Sequence, residues 1–160
     1  MKKWLEQSLV PHIFKQSILS IVNSKLLQAI DSVRRVSSKE RALRRAFRLI
    51  TDRYTGYRFH TLPFWKAYEG GPNILWKQTG FMHCTQQNFL LRVLLVKSGW
   101  FSEKDISLGY SLIWYFSPHQ YLIIKMNDGY LAVDPWNYRF GANVGKFAFG
   151  FGMRNLDKRG

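Results

Sequence analysis

The sequence predicts an α+β domain in which helices come first and an antiparallel sheet follows. Three observations lead there. Apolar residues recur at helical spacing over the first third of the chain and again over residues 86–98. From residue 106 onward β-branched and aromatic residues dominate, with Asn127-Asp128-Gly129 as a hairpin turn between two such runs. No strand–helix–strand alternation calls for a parallel sheet. The length of 160 residues suits one domain, and a composition 46% hydrophobic and 16% aromatic is rich enough for a core and excludes wholesale disorder.

The first element is a helix from Ile13 to about Arg35. Ile18, Val22, Leu26, Ala29 and Val33 are spaced by threes and fours on one stripe, and Pro11 fits just before the first turn, where a missing N–H costs little. Ser37 followed by Glu40 reads as a capping box for a second helix. Its apolar positions Leu43, Ala46, Phe47 and Ile50 share one face, while Arg41, Arg44, Arg45 and Arg48 occupy the other. Residues 56–80, punctuated by Gly56, Pro63, Gly70, Gly71, Pro72 and Gly80, read as a long, partly ordered, aromatic-rich connection. Gln86 to Ser98 is apolar almost all round, with Gly99 at its end, so this helix is expected at the centre of the fold. Strands are expected over Ile106–Phe116, Tyr121–Met126 and Tyr130–Val133, with one more over Phe147–Phe151.

Charge is distributed unevenly. The formal net charge is +14, and residues 1–60 hold 13 of the 24 Lys and Arg against four of the ten Asp and Glu. Such a surface attracts nucleic acid, anionic lipid or an acidic partner. Residues 1–36 read as a basic amphipathic helical extension of a core over 37–140, within a single domain. A lone cysteine makes no internal disulfide, so nothing asks for an oxidising compartment. Glu6, His12 and Lys15 spoil a signal-peptide reading of the start, and no apolar run reaches the roughly 18 residues of a membrane span. The expectation is a soluble, cytoplasmic protein without cofactor.

That one cysteine is the chemical focus. Cys84 stands at the start of the apolar helix, where backbone N–H groups and the helix dipole favour an anion such as thiolate. Most free cysteines are small buried hydrophobes, so Cys84 alone decides little. His119 opens a strand after Pro118, and Asp134 closes the partner strand before Pro135. Together they give the order in which a base activates a thiol and a carboxylate orients the base. Two hairpin registers remain open. A turn at Asn127-Asp128 sets Asp134 diagonal to His119, within about 7 to 8 Å. A turn at Asp128-Gly129 moves it about 13 Å away and breaks the triad.

Gly80-Phe81-Met82-His83-Cys84, the following helix to Gly99, His119-Gln120-Tyr121, Asp128-Gly129 and Val133-Asp134-Pro135 resemble the transglutaminase-like superfamily. The resemblance spans about residues 40–136, with a helix over 38–53 as the family's leading helix. It departs from the family at Tyr121, where Trp is usual, and at His83, where a small residue is usual. It implies a papain-like fold, reaction through a thioester, and a protein or peptide substrate. An oxyanion donor is also required. The Cys84 backbone N–H is one candidate; Gln78, six residues upstream as in the papain-type glutamine donor, and Trp76 are others. A zinc site from His83, Cys84 and His119 lacks the paired short spacings of structural zinc. The competing function is a basic module in which the arginine-rich helices and Trp65, Tyr68 and Trp76 grip nucleic acid or an anionic membrane surface.

Overall fold

The computed structural model describes residues 15–18, 20–56 and 70–156. Helix α1 spans Ser24–Arg34 and is capped by Asn23, whose Oδ1 accepts from the Leu26 N–H at 3.1 Å. It starts later than the periodicity suggests. Asn73 Oδ1 accepts from the N–H groups of Val22 and Asn23 at 2.9 and 3.0 Å, and these bonds hold the chain out of helix before the cap. Val22 is therefore exposed, while Leu26, Ala29, Ile30 and Val33 form the buried face. Pro11 and Ile13 lie outside the described residues.

Helix α2 spans Lys39–Thr51. Its cap is Ser38 rather than Ser37: Ser38 Oγ accepts from the Arg41 N–H at 3.2 Å, and Ser37 Oγ takes the Arg41 side chain at 2.8 Å instead. Ala42, Leu43, Ala46, Phe47 and Ile50 are buried, and Arg41, Arg44, Arg45 and Arg48 are all exposed. Strand β1, Tyr54–Thr55, pairs in parallel with β2, Gly80–Phe81. The described part of the expected loop thus holds this strand and the single helical turn α3, Pro72–Leu75. Trp76 follows that turn and is buried against Tyr54, with Arg53 over its ring at 5.1 Å.

Helix α4 runs Cys84–Lys97, two residues further back than the apolar pattern begins, and the chain leaves it through Gly99 at φ 86°. Every residue from Thr85 to Leu95 is buried. Three of the polar ones among them bond to residues outside the helix, because a buried polar group without a partner is costly. Gln87 Nε2 donates to the Met82 carbonyl at 2.9 Å, Asn88 Nδ2 donates to the Gln120 carbonyl at 2.8 Å, and Arg92 pairs with Glu103 at 2.9 Å.

Against α4 lies a three-stranded antiparallel sheet, β3 (Ile106–Ile113), β4 (Ser117–Met126) and β5 (Gly129–Val133), in that order. The final expected strand is a hairpin instead, β6 (Lys146–Phe149) and β7 (Gly152–Asn155). Gly150, at φ 59°, turns the chain where a continuous strand was expected. The architecture is α+β, with helices α1, α2 and α4 packed together and the sheet following. Among the described residues no helix is long and apolar enough to cross a membrane.

Candidate active site

The hairpin register determines the site. Met126 pairs with Gly129 and Leu122 with Val133, so Asn127 and Asp128 form the turn. Neither has a positive φ. The left-handed residue is Gly129, at φ 129°, in the fourth position, as an ordinary turn followed by glycine requires. In this register Asp134 follows Val133 beside Tyr121 and reaches diagonally to the third residue of β4, His119. His119 Nε2 lies 2.9 Å from Asp134 Oδ2, and both side chains are buried.

Asp134 is held from several segments. It caps the 3-10 turn Pro135–Phe140, its Oδ1 accepting from the Asn137 N–H at 3.3 Å. Its Oδ2 accepts from Asn137 Nδ2 at 2.9 Å and from the Ala148 N–H of β6 at 3.0 Å. Asn137 Nδ2 also sits 3.1 Å from His119 Nε2. Two N–H groups converging on one carboxylate oxygen place their nitrogens this close, so the His119 Nε2–H points at Asp134 and leaves Nδ1 as the other ring nitrogen.

Cys84 approaches the ring from another element. It is the first residue of α4, lines the same cleft as His119, and its sulfur acts on the imidazole. Burial alone would push this histidine down. The adjoining Asp134 carboxylate, its hydrogen bond and Cys84 outweigh burial and push it up from 6.5 to about 10. At neutral pH the ring is therefore an imidazolium between a carboxylate and a sulfur.

Cys84 and His119 share a cleft of about 30 Å³ with His83, Ile113, Trp114, Ser117, Pro118 and Trp136. The structure thus brings Cys84, His119 and Asp134 together. It does not bring the other two candidates to them. Gln78 is exposed in the turn after α3, and Trp76 lines a separate depression with Val22, Asn23, Arg53 and Asn73. The indole that does line the cleft is Trp136, whose ring centre lies 5.5 Å from that of His119. Its buried Nε1 has no hydrogen-bond partner among the described residues. Gly56 makes room for it, since a Cβ there would collide with the Trp136 carbonyl and indole.

Asn137, Trp136 and the Ala148 N–H are the site groups the sequence reading missed. Asp134-Pro135-Trp136-Asn137 did carry a signal, because an aspartate before a Pro-initiated turn accepts from the N–H three residues on. The Ala148 contact is a backbone group from a distant hairpin, and no side-chain pattern announces it.

No protein-family model, curated protein or solved structure matches the chain.

Proposed function

We propose that this chain is a cysteine-dependent acyl-transfer domain of transglutaminase-like type with a papain-like arrangement of its site. The observation that carries this reading is the ordered contact from Cys84 through His119 to the buried Asp134. In the proposed reaction the Cys84 sulfur attacks an amide or ester carbonyl, and the imidazolium gives its proton to the leaving amine or alcohol. The product is a thioester on Cys84. Water or an amine then attacks the thioester carbonyl, His119 takes a proton from it, and the sulfur leaves as thiolate beside the regenerated imidazolium. The first outcome makes a hydrolase, the second a transamidase, according to how well the closed site keeps water out. The tetrahedral intermediate carries an oxyanion, which needs preorganised donors. The Cys84 backbone N–H, at the N-terminus of α4, is one, and Trp136 Nε1, unpartnered among the described residues, is the other.

Iodoacetamide labelling read by intact mass tests this reading, because the only cysteine makes each added mass assignable. Labelling is expected to stay rapid at pH 6, well below the ordinary thiol range near about 8.5, and to slow sharply in His119→Ala. A thiol that reacts only after unfolding would sink the enzyme reading.

A second reading draws on the arginine face of α2. Arg41, Arg44, Arg45 and Arg48 are all exposed there, and Glu40, which pairs with Arg44, is the carboxylate among them. On this reading the helix holds a polyanion by charge. Trp76 is buried and offers no stacking face, and Trp65 and Tyr68 lie outside the described residues. Binding to single-stranded DNA is expected to survive Cys84→Ala and to fall steeply between 50 and 200 mM salt, the order of dependence several phosphate contacts give. Salt-independent binding, or none, removes this reading.

A further inference from the structure

A turn at the mouth of the cleft, and a second turn fastened to it, carry aromatic side chains that the reaction itself does not use. The first joins β3 to β4. Trp114 and Tyr115 both have left-handed backbone, φ 54° and 64°, and the Phe116 N–H closes the turn onto the Ile113 carbonyl at 3.3 Å. Asn and Gly favour that geometry, and bulky aromatics adopt it at a cost. The second turn joins β6 to β7 and carries Phe149 and Phe151. The two are fastened together: Trp114 N–H donates to the Gly150 carbonyl at 2.8 Å and Gly150 N–H to the Leu112 carbonyl at 2.6 Å. Tyr115 lies on Gly150, where a Cβ would meet its ring at 2.5 Å, and packs edge-on against Phe149 and Phe151 at 5.7 and 5.6 Å. Phe116 and Phe151 are 72% and 75% exposed and Tyr115 is 57% exposed, all on these two joined turns.

This platform is continuous with the cleft. Trp114 lines the cleft beside Cys84 and its ring lies 6.0 Å from that of Phe116, and Ser117, next in the chain, lines it too. The cleft's 30 Å³ holds little more than a water-sized group, so the body of any acyl donor must lie outside it. The surface it meets there is aromatic.

We infer that the Trp114–Phe116 and Phe149–Phe151 turns form the binding site for the acyl chain of the substrate, so that the preferred acyl donor carries an extended aliphatic acyl group. This rests on the cysteine-dependent reading above. Backbone strain at Trp114 and Tyr115 then has a use: it holds large rings at positions where a tighter, polar turn would leave the cleft mouth bare.

Acylation of Cys84 by p-nitrophenyl acetate, butyrate and hexanoate, followed by intact mass, tests the inference on the full chain and on Phe116→Ser and Phe151→Ser. For the parent the second-order rate is expected to rise roughly 2- to 4-fold per added methylene, full burial of a methylene giving the upper figure. The hexanoate-to-acetate ratio is expected to fall about tenfold in each variant, the equivalent of leaving part of the chain in water. Equal rates for all three esters, or a ratio unchanged in both variants, overturns the acyl-chain site while leaving Cys84 a nucleophile. A parent that no ester acylates, and that iodoacetamide also fails to label, overturns the cysteine reading and this inference with it.

Discussion

The two sides of the His119 ring are built differently. On the carboxylate side the charge is fully enclosed: Asp134 is buried and accepts N–H groups from His119, the Asn137 backbone and side chain, and Ala148. On the sulfur side capacity is left open. From Cys84 to Leu95 only Cys84 itself escapes full burial, and it opens into a cleft that Trp136 also lines, an indole whose buried Nε1–H has no partner among the described residues. A buried donor without a partner costs about 1 to 3 kcal/mol. One side of the histidine thus encloses a fully paired carboxylate, whereas the other is open at Cys84 and bordered by an indole donor without a partner among the described residues.

The largest effect is expected where the scaffold is broken. Asp134→Asn removes the negative charge and faces an amide with donors placed for a carboxylate. Acylation of Cys84 by a p-nitrophenyl ester should fall roughly 10²- to 10⁴-fold, the range for losing the orienting carboxylate of a triad. Iodoacetamide labelling should fall with it, because both reactions need the same activated sulfur. Stability carries a second signature. The native His119 is raised from 6.5 to about 10, so its pairing stabilises the fold fully below about pH 6.5 and that contribution is lost as pH rises through about 10. In Asp134→Asn burial is opposed by Cys84 alone, so the ring is held lower and this alkaline loss should shrink. Urea midpoints at pH 6 and pH 10 check it. A variant that keeps the parent's labelling rate and alkaline loss would mean that Asp134 is not what holds the imidazole.

How much of this was legible in the sequence differs between helices. In α2 the buried face Leu43, Ala46, Phe47 and Ile50 and the exposed arginines follow directly from their spacing, since one stripe in and one stripe out is all an amphipathic helix encodes. In α4 the apolar run announced a central helix but not its start. Cys84, Thr85, Gln86, Gln87 and Asn88 are polar or small, and they are helical because Met82 and Gln120 accept from Gln87 and Asn88. The start of α1 was misplaced for a similar reason: Asn73, fifty residues on, holds the chain before Asn23. Cys84, His119 and Asp134 could be named from type, order and flanking prolines, yet their meeting depended on a one-residue choice of turn. Gly129's positive φ settles that choice, and residue statistics favouring Asp-Gly at the turn centre pointed the other way. Of the further oxyanion candidates, Gln78, chosen by its separation from Cys84, is exposed, and Trp76 is buried at a separate depression, because β2 lies between them and Cys84.

The smaller effect is expected on the open side, at Trp136, and there the two sulfur reactions should part company. Phe keeps an aromatic face between Gly56 and His119 but has no N–H, so Trp136→Phe removes the donor with the least change in packing. Attack on an ester creates an oxyanion, and losing one of two donors should slow acylation roughly 10- to 100-fold, at or below the range for a dedicated oxyanion donor. Iodoacetamide reacts by displacement at carbon and creates no oxyanion, so its rate should stay within about twofold if the thiolate and its histidine are untouched. Both rates falling together would make Trp136 a support for His119, and neither falling would leave the Cys84 N–H and the first turn of α4 to hold the oxyanion. Only a split between the two rates assigns the open hydrogen bond to the reacting oxygen, and that split is what separates the open side of the site from the enclosed one.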